Sequence, residues 1–404
     1  MKLAAGGGVH LTYCTNIHAG ETWPEVRANV AQHVVGVKAR VAPEAPFGIG
    51  LRLSAVAAEA LAEPKELEAF REFLERQQMY VFTINGFPYG PVHGTTVKEA
   101  VYLPDWMDEA RLVYTDRLAR LLAALLPAQA GLEGTVSTSP GAFKPRVRSA
   151  ADVERMADMM IRHVATLHDI QQKTGRIVSL AIEPEPYCHM ETVAETVQFF
   201  ERHLFAPSAV ARLSALTGLG SAESERYLRQ ALGVCFDACH MAVEFEDARA
   251  ALAAFAAGGI RIGKFQISAG LVVRLEGDVR DTLEALLPFA EGVYLHQVVQ
   301  RDAAGALVRY LDLPEALAAA PALRGPVEWR IHFHVPLFLA RLGRFANTQA
   351  YLADLLASIR TQSPSAHLEV ETYTWDVLPE QYRRDPIVTA VARELEWVRQ
   401  QLQA

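Results

Sequence analysis

Short apolar segments alternate with longer amphipathic segments along almost the whole chain. The short segments predict strands near residues 10–16, 48–54, 80–85, 134–139, 177–183, 233–239, 261–268, 292–299, 328–335 and 367–373. The longer segments predict helices near residues 22–40, 64–78, 106–126, 150–174, 191–204, 221–231, 245–257, 279–290, 312–320, 346–361 and 386–402. Alternation of strands and helices predicts a parallel sheet with helices packed outside it.

The position of the polar residues favours a (β/α)8 TIM barrel over an open sheet. Strand after strand is apolar first and ends in ligand-type side chains, as in 178–183, 234–237 and 368–371. Barrel active sites lie at the carboxyl ends of many strands at once, and no glycine fingerprint of a nucleotide-binding sheet follows a strand here. We therefore predict one elaborated α/β barrel domain over 1–404, with an N-terminal addition (1–45) and a C-terminal helical extension (374–404).

Ten predicted strands are two more than a barrel needs. The segment 293–309 predicts a hairpin with its turn at 302–305, because Asp, Ala and Gly interrupt the apolar pattern there. The second surplus strand is expected in the N-terminal half, whose register the pattern leaves open.

Composition and charge exclude several classes of protein. The 404 residues are 50% hydrophobic and carry a formal charge of −8, which argues against a disordered chain, a nucleic-acid partner or an anionic membrane surface. No apolar run is long enough to span a membrane, and the uncharged run 3–20 lacks the apolar core of a signal peptide. Four cysteines do not make a disulfide scaffold, so we expect a cytoplasmic protein. The sequence leaves homo-oligomer formation open.

Carboxylates and imidazoles end two of the predicted strands. Glu183 ends an apolar strand and is followed by Pro184, which stops further ladder pairing, whereas Glu185 lies beyond the strand end. Asp237 and His240 follow the next strand three residues apart. They can converge on one hard divalent cation, which the imidazole can bind or leave free to act on substrate.

A polar face is also predicted on the strand near 261–268. Alternation puts Lys264, Gln266 and Ser268 on one side of that strand. These side chains suit a polar barrel mouth better than an apolar layer. The Gln266 amide oxygen can bind a metal or hold a substrate hydroxyl.

A histidine-rich segment follows near 328–335. Alternation puts Arg330, His332 and His334 on one face, which packing alone rarely requires. Arg330 can bind a substrate carboxylate or phosphate, or pair with the acids. His296 is a similar candidate on a surplus strand.

The last strand carries ionisable residues in alternation. His367, Glu369, Glu371 and Tyr373 share one face, and they cannot all point into a dry core. Glu371 is nearest the strand end and is the predicted metal ligand. Trp375 is a candidate wall of the pocket.

The N-terminal half contributes weaker candidates at or after strand ends. Asn85 and His93 are the two that we assign to substrate binding. The same positional signal marks Asn16, His18, Arg52 and Tyr89, and the aromatic turn 86–90 is placed to cover the mouth.

The order of these residues resembles the xylose-isomerase-like TIM-barrel superfamily of sugar isomerases, epimerases and related endonucleases. That resemblance implies a divalent metal (Mn, Mg, Co or Zn) held by Glu183, Asp237 and Glu371, with His240 beside it near the substrate. The third ligand position usually holds His in that group, and Gln266 occupies it here. His296 or His334 can replace the missing ligand.

A second resemblance covers nearly the whole chain. The segments 12–18, 50–54, 86–90, 180–186, 237–240, 332–336 and 369–375 resemble the metabolite traffic protein EboE family. This implies a role in an operon that makes or moves a prenylated or other secondary metabolite. It does not name a reaction.

Three functions follow from these patterns. The first is a metal-dependent isomerase or epimerase of a sugar-like metabolite, in which Glu183 and Glu371 move a proton next to a carbonyl. The second is a metal-dependent phosphoesterase, and the third is a non-catalytic metabolite-binding or traffic protein. The predicted catalytic residues are Glu183, Glu371 and His240, the metal ligands are Glu183, Asp237, Gln266, Glu371 and His334, and the substrate-binding residues are Asn85, His93, Lys264, His296, Arg330, His332 and Trp375.

Overall fold

Eight parallel strands form a nearly closed barrel in the computed structural model, which describes residues 1–3, 8–91, 96–127, 131–362 and 364–403. The barrel strands are β1 (His10–Tyr13), β2 (Phe47–Arg52), β3 (Met79–Asn85), β4 (Gly134–Thr138), β5 (Val178–Ile182), β6 (Leu232–Asp237), β7 (Arg261–Ile267) and β13 (His367–Val370). Their order in the sheet is β1-β13-β7-β6-β5-β4-β3-β2. A parallel bridge between Cys14 and Gly50 brings β1 beside β2. The predicted TIM barrel is confirmed.

Helices connect the strands and surround the barrel. They are α1 (Trp23–Asn29), α2 (Val35–Val41), α3 (Ala55–Leu61), α4 (Pro64–Arg76), α5 (Glu109–Leu125), α6 (Ala150–Thr174), α7 (Val193–Phe199), α8 (Pro207–Thr217), α9 (Ser221–Ala231), α10 (Ala238–Val243), α11 (Ala248–Ala257), α12 (Arg280–Leu286), α13 (Leu313–Ala319), α14 (Gln349–Gln362) and α15 (Ile387–Gln403). The start of α6 shows why the sequence forms helices here. Ser149 and Asp152 make a capping box that satisfies its first backbone N–H groups.

A second, antiparallel sheet is inserted between β7 and β13. Its strands are β8 (Leu271–Leu275), β9 (Val298–Asp302), β10 (Leu307–Tyr310), β11 (Val327–Ile331) and β12 (Ala346–Asn347), in the order β10-β9-β11-β8-β12. The predicted hairpin is confirmed, because β9 and β10 pair across a turn at 302–306. Both surplus strands belong to this sheet. The expectation of a surplus strand in the N-terminal half is therefore wrong.

The two ends of the described chain meet at the barrel. The strand β1 pairs in parallel with β13, so the barrel begins inside the segment 1–45 that we expected to precede it. The helix α15 follows the last barrel strand and packs against α2 and α14, as a member of the outer ring of helices. Among the described residues, no helix combines the length and the apolar composition needed to cross a bilayer.

The barrel interior is polar instead of being filled with aliphatic layers. Lys264 of β7 donates to Thr83 of β3 (3.2 Å), although three strands of the sheet order separate β7 from β3, so the contact crosses the interior. Lys264 also forms an ion pair with Glu369, and both side chains are fully buried. Below them, Thr135 contacts Thr83 (2.9 Å) and the His367 ring (3.0 Å). A barrel core is usually made of branched aliphatic side chains.

Candidate active site

Three buried carboxylates lie at the carboxyl ends of three barrel strands, within four successive strands of the sheet. Glu183 directly follows β5, Asp237 ends β6, and Glu371 directly follows β13. Their side chains are at most 6% exposed. Asp237 is also the N-cap of α10, because its Oδ1 accepts from the backbone N–H of His240 (2.9 Å). The Oδ1 atom of Asp237 therefore caps the helix, and its Oδ2 atom remains available for a ligand.

Three side-chain amides hold Glu371 in place. Its Oε1 accepts N–H groups from Asn16 (2.8 Å), Asn85 (2.9 Å) and Gln266 (3.1 Å). These donors come from the chain after β1, from β3 and from β7. The Oε2 atom is left facing the His334 ring, whose Nδ1 lies 3.9 Å away. Glu371 is thus fixed in direction and keeps one oxygen for a ligand.

The carboxylates repel one another in a dry environment. Burial, followed by repulsion from Glu371 and Asp237, raises the pKa of Glu183 well above its ordinary value. Burial, with repulsion from Asp237 and Glu369, does the same to the pKa of Glu371. Such a cluster is destabilised unless protons or a cation neutralise it. A divalent ion bound among these carboxylates would offset their mutual repulsion.

The residues present fit a divalent metal. Within the described residues, Asp237 Oδ2, Gln266 Oε1 and His334 Nε2 are buried and have no hydrogen-bond partner. The ligand atoms of Glu183, Asp237 and His240 lie within 4.8 Å of one another, and so do those of Asp237, Cys239 and His334. Oxygen and imidazole donors of this kind accept Mn, Mg, Co or Zn.

His240 and His332 form a close pair at the cavity wall. The Nδ1 atom of His240 faces the carbonyl oxygen of Pro184 (2.9 Å), and that of His332 faces Oε1 of Gln297 (2.8 Å). Each Nδ1 therefore carries a hydrogen, because both neighbours are acceptors. The two Nε2 atoms are 3.0 Å apart, which is favourable only with one proton or one cation between them. Burial lowers the pKa of His332 well below its usual range.

A cavity that is open at its mouth lies above these groups, and the centres of water-sized spheres fit into about 70 Å³ of it. Predicted residues on its wall are Asn85, Glu183, His240, His332 and Glu371. Asp237, Gln266 and His334 lie behind this wall, in contact with its members. The structure thus brings together the predicted catalytic residues and ligands. His93 lies outside the described residues.

Four residues predicted to bind substrate do not line the cavity. Lys264 is enclosed in the barrel with Glu369, and Trp375 packs in the main hydrophobic core. His296 is buried between Glu291 (2.7 Å) and the carbonyl oxygen of His332 (3.1 Å). These are corrections. All three side chains are buried inside the protein instead of facing the mouth, because each finds its partners within the barrel, the inserted segment or the core.

Arg330 requires a separate correction. The strand β11 ends at Ile331, so Arg330 does not share a strand face with His332 and His334, which follow in the loop. The guanidinium donates to the carbonyl oxygen of Ala242 (2.6 Å) and lies over the ring of Phe245, 4.0 Å from its centroid. Arg330 therefore anchors the inserted sheet to the chain after α10.

Several residues of the cavity wall are not among the predicted site residues. Glu185 lines the cavity and accepts a hydrogen bond from the Tyr102 hydroxyl (2.7 Å), and burial raises its pKa. Asn16 and Tyr373 also line it. Asn16 follows β1 and carried the strand-end signal. Tyr102 lies in a long connection after β3, where no local pattern marks it.

Glu394 of α15 supports this site from outside. It is buried and accepts from the backbone N–H of Leu337 (3.1 Å) and from the Thr372 hydroxyl (2.8 Å). These partners lie shortly after His334 and directly after Glu371. Burial raises the pKa of Glu394 to about 7. Ionisation of Glu394 therefore destabilises the folded protein. This destabilisation appears as the pH rises from the pKa of Glu394 in the unfolded chain towards 7.

We expect Glu394→Gln to raise the free energy of unfolding by about 2 kcal/mol at pH 8 and by much less at pH 5. The amide keeps an acceptor oxygen and removes the buried charge. Urea denaturation of variant and parent at both pH values measures the difference. Glu396→Gln on the same helix is the control, for which no such pH dependence is expected. An equal gain at both pH values would contradict the assignment.

Comparison with known proteins identifies the fold. No family model matches the chain, and no curated protein matches it. A xylose isomerase-like TIM barrel protein from Mycobacterium smegmatis, solved in complex with magnesium, matches with a TM-score of 0.52 at 13% identity, over 99% of this chain and 98% of that one. The chain has a xylose isomerase-like TIM-barrel fold.

Two further solved structures are similar over nearly their whole length. The IOLI protein with a bound zinc atom has a TM-score of 0.46 at 11% identity, with 97% of each chain covered. An L-ribulose 3-epimerase has a TM-score of 0.45 at 12% identity, covering 98% of this chain and 95% of that one. Neither description bears on the resemblance to the EboE family, which stays a prediction.

Proposed function

We propose that the protein is a divalent-metal-dependent isomerase or epimerase of a small sugar or sugar-like metabolite. The observation that carries this proposal is the cluster of Glu183, Asp237 and Glu371, buried together at strand ends below an open cavity. Two carboxylates beside a metal suit proton transfer next to a carbonyl. The resemblance to the EboE family adds a secondary-metabolite operon as the proposed context, and the cytoplasm as the proposed compartment follows from the cysteine content.

Glu183 and Glu371 carry the proposed proton transfer. One carboxylate takes a proton from the carbon next to the carbonyl, and the bonding electrons form an enediol. The other returns a proton to the opposite face of that carbon, or to its neighbour. His240 and His332, side by side on the cavity wall, are the proposed hydrogen-bond partners of the substrate oxygen. The metal, when bound, polarises the carbonyl and offsets the charge of the acids.

His334 is proposed to replace the histidine that the superfamily pattern lacks here. Gln266 donates its amide N–H to Glu371, which orients that carboxylate. The unpartnered Nε2 of His334 lies within reach of Asp237. The proposed ligands are Glu183, Asp237, Glu371 and His334, so the inserted sheet delivers one of them.

We expect His334→Ala to weaken Mn²⁺ binding about 100-fold, because one of four proposed ligands is lost and Asp237 keeps an unmatched charge. Calorimetric titration of metal-free protein with Mn²⁺ measures the affinity of parent and variant. His168→Ala is the matched control, because His168 packs against Tyr227 on the outer helices. Unchanged Mn²⁺ affinity in His334→Ala would exclude His334 as a ligand.

Proton exchange tests the proposed activity. Protein loaded with Mn²⁺ is incubated with hydroxyacetone and with D-fructose in D₂O, and NMR follows deuterium entering the carbon next to the carbonyl. We expect metal-dependent exchange in at least one of them. Metal binding without exchange in either compound would favour the traffic protein instead.

A metal-dependent phosphoesterase is the second candidate. It is favoured by the ligand atoms of His240, His332 and His334, which lie within 4.8 Å of one another. Histidine-rich sites suit two or three zinc ions. Elemental analysis discriminates between the two functions, because one ion per chain favours isomerisation and two or three favour hydrolysis.

A further inference from the structure

The cavity has two chemically different ends. Its floor is formed by the carboxylates and amides around Glu371. Its outer wall is apolar, and includes Phe87, Val101, Tyr102 and Leu295. Tyr102 and Leu295 are buried members of a small hydrophobic cluster, separate from the main core, and Phe87 and Val101 pack against it. An apolar surface of this kind at a cavity mouth marks a place for an apolar ligand group.

The aromatic rings at the mouth are already arranged as flat walls. Phe87 stacks on Tyr102 with ring centroids 5.7 Å apart and 22° between the planes, and Tyr102 stacks in turn on Phe143. The Tyr102 hydroxyl is occupied by Glu185 (2.7 Å) and its ring stacks with both neighbours, so the partly buried Phe87 is the ring of this stack that remains for contact in the cavity. Tyr294 and Tyr373 meet edge to face, 5.3 Å apart. An aromatic ring of a ligand packs favourably against such a pair, in an offset or edge-to-face geometry.

The charges of the cavity select a neutral polar group. Lys98 is the one Lys or Arg among the described residues that line it. Its ammonium donates to Asp312 (2.6 Å) and to the carbonyl oxygen of Tyr294 (2.6 Å). The proposed metal would offset the carboxylates of the floor, so an anionic group in the outer half would need a cation of its own. Among the described residues of the cavity wall, a phosphate or carboxylate would meet no unpaired Lys or Arg.

We infer that the substrate is a neutral amphiphile, an α-hydroxyketone head attached to an apolar ring or chain of at least phenyl size. This inference rests on the proposed function, which supplies the head. The apolar part lies against Phe87, Val101, Tyr102 and Leu295. A polyol chain in that place loses hydrogen bonds to water without regaining them, so a simple sugar fits the outer half poorly.

Two neutral probes with the same head test the inference. Hydroxyacetone has the head alone, and 1-hydroxy-4-phenylbutan-2-one adds the ring. With Mn²⁺-loaded full-length protein, we expect calorimetry to give at least about tenfold tighter binding of the phenyl probe, because its ring leaves water. D-Fructose should bind no more tightly than hydroxyacetone.

Variants of the wall separate specific contact from general hydrophobicity. In Leu295→Asn the advantage of the phenyl probe should fall below about threefold, while hydroxyacetone binds as before. Leu287→Asn is the matched control, because Leu287 is exposed on the same inserted segment. Val101→Asn is a second wall variant in case Leu295→Asn does not fold, as judged by circular dichroism.

The outcomes distinguish this inference from the proposed function. Equal binding of the two probes, or tighter binding of D-fructose, overturns the inference, whereas deuterium exchange in hydroxyacetone would still support the isomerase. A phenyl advantage that survives in Leu295→Asn and Val101→Asn also overturns it. A wall-dependent advantage without exchange in either probe supports the amphiphile and overturns the isomerase.

Discussion

Replacing Glu371 by Gln is expected to lower the rate of proton exchange next to the substrate carbonyl by about 1000-fold. The amide has nearly the shape of the carboxylate, but it cannot accept a proton. Three amide N–H groups converge on Oε1 of Glu371, so the variant also places a side-chain amide among these donors. Deuterium incorporation per unit time, measured by NMR with Mn²⁺ in excess, gives the rate.

Glu380→Gln is the control for Glu371→Gln, because Glu380 is exposed in the segment after the last barrel strand. It should exchange at the parent rate. Circular dichroism and the urea midpoint should show that Glu371→Gln remains folded, since removing a buried charge relieves repulsion from Asp237. A folded Glu371→Gln variant with the parent rate would exclude Glu371 from the proton transfer.

Replacing Lys264 by Met is expected to lower the free energy of unfolding by about 3–5 kcal/mol. Lys264 and Glu369 are both fully buried, and they form an ion pair between the adjacent strands β7 and β13, inside the barrel. Removing the ammonium leaves the Glu369 carboxylate in a site that water does not reach. Its Oε1 already has no hydrogen-bond partner among the described residues. Urea denaturation at pH 7 measures the loss.

A double variant separates loss of the pair from loss of packing. Lys264→Met combined with Glu369→Leu should recover most of the stability, because no unpaired charge remains. Lys173→Met is the surface control, since Lys173 forms an exposed i,i+4 pair with Asp169 and should change stability little. If Lys264→Met were as stable as the parent, the buried ion pair would not contribute to the stability of the barrel.

The barrel could be predicted from the sequence because its pattern is local. Strand periodicity and apolar content mark β4, β5 and β6 within a few residues of their observed bounds. The carboxyl ends of parallel strands meet at one face, so Glu183, Asp237 and Glu371 could be placed together from their positions after strands. The same rule accounts for Asn16 and Asn85, which reach Glu371 from two other strands.

The inserted sheet shows where the same reasoning fails. The segments 292–299 and 328–335 have strand-like patterns, but a pattern does not state which sheet a strand joins. β11 pairs with β8 and β9, and it ends before His332. Arg330 is therefore carried away from the cavity, whereas His332 lines it and His334 lies directly behind its wall. The burial of Lys264 is unpredictable from the sequence for a related reason, because its ion-pair partner Glu369 lies 105 positions further along the chain.

The sequence by itself determined the (β/α)8 architecture and the strand-end carboxylates, because both depend on periodicities of a few residues. Only the tertiary structure decided that His334 lies beside Asp237, and that Tyr102 and Leu295 belong to an apolar part of the cavity wall. Those contacts join residues far apart in the chain. Their geometry follows from how the inserted sheet and the long connections pack over the barrel, which no local pattern encodes.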